Sequence, residues 1–248
     1  MTENTEIIYE IFNDLPRGSP GSQDTTKKAY LMLKRLPSQP LILDIGCGPG
    51  MQTLELARIS KGQIIALDVY QPFLNRINQI AVGEGLGEKI KTLNKSMLDM
   101  DFQVGRFDLI WAEGAIYIIG FERGLKEWKQ ILKKSGSIVV SELTWLKKYP
   151  PEEIFQFFKA EYPAMKIHEA NLKTIDKAGY QIINSFVQPE SDWLNYYNPL
   201  EKKVAALREK YRTNIEATQF LDLTQTEIDL YKKYSKYYGY VFYLMQKK

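Results

Sequence analysis

The chain is poor in the residues that build metal centres, disulfides and most acid–base sites. Among 248 residues there is one cysteine, Cys47, and one histidine, His168. A single thiol cannot close an intrachain disulfide, so nothing points to an oxidising compartment. One His and one Cys fall short of a typical zinc site, so no metal is expected. No stretch approaches the roughly 20 consecutive apolar residues that span a bilayer. Dense basic runs are missing too. With 33 Lys and Arg against 30 Asp and Glu, the net charge is +3, which leaves no electrostatic footprint for nucleic acid. The opening MTENTEIIYE is polar and acidic, unlike the basic start and apolar middle of a signal peptide. A cytoplasmic location is expected, with neither nucleic acid nor a membrane as partner. Oligomeric state is left open.

What the chain does have is LILDIGCGPG, residues 41–50. Leu41, Ile42, Leu43 and Ile45 make a short buried strand. It ends near Asp44 and runs into alternate glycines, Gly46, Gly48 and Gly50, which allow positive φ and close approach of a ligand to the backbone. A helix is expected from Thr53 to Ser60, with Gly62 as its stop. Strand, glycine turn and helix open a nucleotide-binding α/β domain. The dinucleotide fingerprint wants its third glycine at position 51, which is Met51. A carboxylate at Asp44 would repel a pyrophosphate and attract a cation. S-adenosylmethionine carries a sulfonium and an ammonium and no phosphate, so the pattern favours methyl transfer over hydride transfer.

A second strand, Gln63 to Asp68, ends on an acid 22 residues after Gly46. Asp68 there suits ribose hydroxyls without choosing the cofactor. Further strands are expected at Ile90–Leu93, Phe107–Trp111, Ser137–Leu143 and Tyr180–Val187, with a closing strand Tyr240–Met245. Helices between them imply right-handed crossovers and a mostly parallel sheet. The expected fold is α/β: a Rossmann-like, doubly wound, mostly parallel seven-stranded sheet with N-terminal helices and C-terminal helical insertions forming a cap.

An acidic residue followed by GxGxG, here Asp44 with Gly46, Gly48 and Gly50, resembles the first motif of the class I S-adenosylmethionine-dependent methyltransferases. The likeness spans roughly residues 38–188 plus the closing strand. It looks nearest to the small-molecule branch typified by ubiquinone and menaquinone biosynthesis methyltransferases. PGS (20–22), WAEGAIY (111–117) and FERG (121–124) are similar to a sub-group of such methyltransferases whose substrate is unassigned. The resemblance implies that Asp44, Gly46, Gly48 and Gly50 hold the methionine part, Asp68 the ribose, and that Ser96 and Met97 border the adenine. Many relatives carry an acid where Ser96 stands. The D/N-P-P-Y/F motif of adenine-amino methyltransferases is missing after the fourth strand. The implied activity is methyl transfer to O, N or C of a small molecule. A non-catalytic S-adenosylmethionine-binding protein and a Rossmann oxidoreductase are the alternatives.

Residues 1–37 are expected to form an N-terminal helical lid, 38–144 the cofactor-binding core, and 145–248 the rest of the sheet with its cap, all in one domain. A helix over Glu6–Leu15 carries Ile7, Ile8, Ile11, Phe12 and Leu15 at helical spacing, and another runs from Asp24 or Thr25 to Leu36. The glycine-containing loop between them, about residues 16–23, either folds over the site or is a plain surface connection. Glu113, placed just after the fourth strand, is the candidate catalytic residue, to orient a hydroxyl or amine or take its proton; a contact to the cofactor's ammonium or to nearby backbone is the alternative. His168 is the obvious base by residue type, yet it aligns with no strand end. Tyr231, Tyr234 and Tyr238 share a face of an expected helix Thr226–Tyr238, as core or as an aromatic wall for a flat or cationic substrate.

Overall fold

The computed structural model describes residues 3–248, without the side chains of residues 3–6 and Ile8. Met1 and Thr2 of the expected lid, and the Ile8 side chain of its apolar stripe, lie outside the described residues. Two helices come first, α1 (Glu3–Asn13) and α2 (Gln23–Leu31). Helix α1 stops short of Pro16 and buries Ile7 and Ile11. Helix α2 is capped by Ser22, whose Oγ accepts the Thr25 N–H at 3.1 Å, satisfying one of the donors a helix start leaves open.

The alternating section follows: β1 (Leu41–Ile45), α3 (Met51–Ile59), β2 (Gln63–Asp68), α4 (Gln71–Gly83), β3 (Ile90–Asn94), β4 (Phe107–Glu113), α5 (Phe121–Ile131) and β5 (Leu132–Trp145). The remainder is α6 (Glu152–Glu161), β6 (Lys166–Ile167), α7 (His168–Lys177), β7 (Tyr180–Val187), α8 (Glu190–Lys210), α9 (Ile215–Tyr234) and β8 (Tyr238–Lys247). The strand order is β3-β2-β1-β4-β5-β8-β7, parallel except for β8, which runs antiparallel to both neighbours. This is the expected Rossmann-like sheet, with one addition: the two-residue β6 pairs with the end of β5.

Alternation along β1 divides the core. Leu43 and Ile45 pack on one face with Trp128 and Ile138, while Ile42 packs on the other with Leu56 and Trp111. A third cluster joins α1 to α8 and α9 through Ile11, Trp193, Leu200 and Tyr231. Each fully buried Leu, Ile or Phe in these layers contributes about 1.5–3 kcal/mol over leaving it exposed. The third cluster therefore ties the N-terminal helix to the C-terminal cap.

Several boundaries correct the expectations. Helix α3 starts at Met51 rather than Thr53, because Gly50 at φ +92° already turns the chain. Strand β4 extends to Glu113, so that residue ends the strand instead of following it. Helix α8 begins at Glu190 and runs through Pro199. Its buried face of Trp193, Tyr196, Tyr197, Leu200, Val204 and Leu207 outweighs the hydrogen bond that proline removes. Tyr238 belongs to β8, since the run YYGYVFYLM alternates once it pairs with β5. Among the described residues no helix is long and apolar enough to cross a membrane.

Candidate active site

The carboxyl ends of β1 to β4 lie side by side, as parallel pairing requires. Asp44 pairs in register with Trp111, Asp68 with Asn94, and Glu113 with Ser141. A cavity of about 380 Å³ opens above them, bordered by Gly46, Gly48, Asp68, Ser96, Met97 and Glu113. Asp44 and Gly50 do not border it.

The three glycines do different work. All have positive φ, +68°, +51° and +92° for Gly46, Gly48 and Gly50, where a side chain is strained. A Cβ on Gly46 would meet the Ala115 Cβ at 2.7 Å, and one on Gly50 would meet Ile77 Cγ1 at 2.2 Å. A Cβ on Gly48 would meet nothing within 4 Å. Gly46 and Gly50 are thus packing requirements, whereas Gly48 faces open space. Gly48 N–H donates to Asp68 Oδ2 at 2.9 Å, and Tyr70 N–H donates to Asp68 Oδ1 at 3.0 Å. These bonds hold the half-buried Asp68 at the cavity edge, with acceptor capacity left on both oxygens.

Asp44 is fully buried. Thr53 Oγ1 donates to its Oδ2 at 2.6 Å, and among the described residues nothing partners Oδ1. Burial pushes its pKa up to about 7; the Thr53 bond opposes this, and the nearby Glu113 and Asp68 charges add to it. A buried, half-satisfied carboxyl of this kind is costly unless a cation or donor reaches it. Cys47 is also buried, and burial pushes its thiol well above its ordinary pKa. That describes an inert packing group rather than a nucleophile.

Glu113 is held differently from the expected substrate-facing carboxylate. Arg17 Nη1 donates to its Oε2 at 2.7 Å, while Thr26 Oγ1 and Trp111 Nε1 donate to its Oε1 at 2.7 and 2.9 Å. With both oxygens engaged and only 4% of the residue exposed, it anchors the loop after α1 at the cavity border. That loop lies over the site: Arg17, Gly18 and Ser19 all line the cofactor-side cavity. Its sequence gave no sign that Arg17 would be buried.

A second cavity of about 360 Å³ adjoins the first and shares Phe12, Gly18, Ser19, Gly114 and Tyr117 with it. Trp193, Tyr196, Tyr197, Tyr238 and Tyr240 supply aromatic wall, and Glu161 and Glu227 the acidic groups. Tyr238 thus belongs to a cavity wall, while Tyr231 stacks behind Trp193 at 4.3 Å between centroids. Glu142, at the far end of β5, is 3% exposed and accepts a hydrogen bond from the Tyr162 hydroxyl at the cavity edge. Burial pushes Glu142 up to about 8. It was hidden in the apolar strand pattern SIVVSEL. His168 borders neither cavity. Its Nδ1 lies 3.1 Å from the Tyr243 hydroxyl and its Nε2 3.4 Å from Ser185 Oγ, which makes it a packing contact between α7, β7 and β8.

Residues 42–136 match the methyltransferase domain family. The chain is 29% identical over 171 residues to a demethylmenaquinone methyltransferase of Bacteroides fragilis, covering 66% of this chain and 68% of that protein. It is 26% identical over 181 residues to a sterol 24-C-methyltransferase of Kluyveromyces lactis, covering 69% of this chain but 49% of that one. The whole fold is similar to that of an S-adenosylmethionine-dependent methyltransferase from Geobacter sulfurreducens, solved with S-adenosylhomocysteine. The TM-score is 0.84, with 17% identity and 98% of each chain covered. The domain match, the relatives and the fold all point to the class I S-adenosylmethionine-dependent methyltransferases. The chain's residues fit the cofactor on structural grounds. Among the described residues the chain keeps an unpartnered buried carboxylate oxygen at Asp44, an open glycine at Gly48 and a second carboxylate at Asp68, acceptors suited to an ammonium and a diol. These likenesses support neither the oxidoreductase nor the non-catalytic binder.

Proposed function

We propose that the two cavities divide one reaction: the methyltransferase binds S-adenosylmethionine in the cavity above β1 to β4 and a small-molecule acceptor in the aromatic cavity beside it. The common border at Gly18, Ser19, Gly114 and Tyr117 carries this reading, because it lets a nucleophile in one cavity meet a methyl group in the other. Asp44 Oδ1 reaches the ammonium through a bridging water, Asp68 accepts from the ribose hydroxyls, and Ser96 and Met97 border the adenine. When bound, the cofactor supplies an electrophilic methyl on a positively charged sulfur. The protein's part is alignment and exclusion of water, and alignment alone is worth about 7–11 kcal/mol. The loop pinned by Arg17 and Glu113 roofs both cavities and provides that exclusion. Acceptors with a flat or apolar body suit rings such as Trp193 and Tyr196, for transfer to O, N or C.

The test is thermal unfolding with S-adenosylmethionine, S-adenosylhomocysteine or NADH in excess. A ligand at 100 times its Kd stabilises by about 2.7 kcal/mol, and each kcal/mol moves Tm by roughly 2–4 °C at this chain length. A rise of several degrees with the sulfur nucleotides alone supports the cofactor cavity. A rise with NADH alone overturns it.

A further inference from the structure

Three features of the aromatic cavity concern charge rather than shape. Glu227 lines it and receives one hydrogen bond, from Tyr197 Oη to Oε1 at 2.8 Å. Burial pushes the Glu227 carboxyl above its ordinary pKa, and the Glu161 charge at the rim adds to this. No Lys, Arg or His is among the described residues lining the cavity, so neither carboxylate meets a cation there. Independently, Tyr238 Oη is buried on the same wall with no hydrogen-bond partner among the described residues, although the residue is only 1% exposed. A buried hydroxyl without a partner is costly unless a ligand supplies one.

We propose that the acceptor is a small amine, entering as its ammonium ion, with nitrogen held between Glu227 and the rings of Trp193, Tyr196 and Tyr238 and an N–H donated to Tyr238 Oη. This rests on the division of the site into cofactor and acceptor cavities and adds the acceptor's chemical class. An ammonium satisfies each feature at once. It neutralises the carboxylate, it lies against ring faces that attract cations, and it supplies the missing donor. A carboxylate or phosphate acceptor would meet two like charges and no counter-ion. In the transfer, the ammonium gives one proton to the Glu227 carboxylate. The nitrogen lone pair then attacks the methyl carbon of S-adenosylmethionine; the C–N bond forms as the C–S bond breaks. That bonding pair stays on sulfur, which becomes a neutral thioether, and the positive charge reappears on the methylated nitrogen.

The probes are 2-phenylethylamine and 2-phenylethanol, which differ at one atom and in charge at pH 7, titrated calorimetrically into enzyme saturated with S-adenosylhomocysteine. The amine is expected to bind at least tenfold more tightly than the alcohol. Glu227→Gln is expected to bring the two within about threefold, and Tyr238→Phe to weaken the amine several-fold, both with unchanged S-adenosylhomocysteine affinity. Tyr238→Phe removes only an unpartnered hydroxyl, so it serves if Glu227→Gln fails to fold. Equal binding of the two probes, tighter binding of the alcohol, no binding of the amine, or a preference that survives both substitutions overturns the proposal. Failure to bind S-adenosylhomocysteine at all would strike the cofactor cavity itself and is seen separately, before either probe is added.

Discussion

Arg17 and Glu113 stand 96 positions apart in the chain and form a buried ion pair at 2.7 Å, with side chains 6% and 1% exposed. The pair links the loop after α1 to the carboxyl end of β4, the two elements that meet over the junction of the cavities. Thr26 is bonded to both partners, so the start of α2 shares the same anchor.

Removing one member of a buried pair leaves the other charge without compensation, at about 3–5 kcal/mol. Arg17→Met and Glu113→Gln are each expected to lower Tm by several degrees. The double variant should lose clearly less than the sum, because it leaves no lone charge. Strict additivity in thermal unfolding would show that the two side chains do not act as a pair.

The alternate glycines should separate by function. Gly50→Ala places a Cβ 2.2 Å from Ile77 Cγ1, and is expected to cost well over the about 1–2 kcal/mol of left-handed strain alone. Gly48→Ala meets no neighbour, so it should cost only that strain while intruding on the cofactor. Denaturation and S-adenosylhomocysteine titration, run on both variants, check this. Equal stability losses, or unchanged affinity in Gly48→Ala, would contradict it.

The sheet was legible because its signals are local. A buried apolar strand, alternate glycines and an acid at the next strand's end fall within residues 41–68, where β1, β2 and the glycine-loop part of the cofactor-side border arise. The roof and the second cavity were not legible, for physical reasons. Arg17 meets Glu113 only through tertiary packing, and a lone arginine in RGSPGS looks like any surface loop cation. Glu113 was noticed from its position at a strand end, but of the three donors that hold it only Trp111 is near it in sequence. Tyr238 was placed on a helix because an aromatic-rich run satisfies both the 3.6 and the 2 period, and pairing with β5 decides between them. Glu142 carries no sequence signal, since one acid at the end of an apolar strand also suits an exposed edge.

Asp44 should make cofactor binding depend on pH. Its carboxyl titrates at about 7 in the free protein, and the cofactor's ammonium favours the charged form. Affinity for S-adenosylhomocysteine is therefore expected to rise from pH 6 to pH 8, and Asp44→Asn should flatten the profile and lower affinity at pH 8. Asp68→Ala should weaken binding roughly 10- to 150-fold at any pH, from the about 1.5–3 kcal/mol of a hydrogen bond to a charged group. Unchanged affinity in that variant would sink the ribose assignment.

Glu142 supplies the reverse relation, between pH and stability. Its pKa rises from an ordinary 4.5 to about 8 on burial, so between those values the folded chain binds more protons than the unfolded one. Stability from this group is then full below about pH 4.5 and falls as pH rises toward 8. Glu142→Gln keeps an acceptor for the Tyr162 hydroxyl but has no charge to bury. The variant should gain on the wild type as pH rises from 5 to 8, by several degrees in Tm, and the gap should level off above pH 8. The difference between the two melting curves isolates this one group, because every other titrating side chain is common to both proteins. A gap that stays constant from pH 5 to pH 9 would mean that Glu142 keeps an ordinary pKa, and that water or a cation reaches it behind Tyr162.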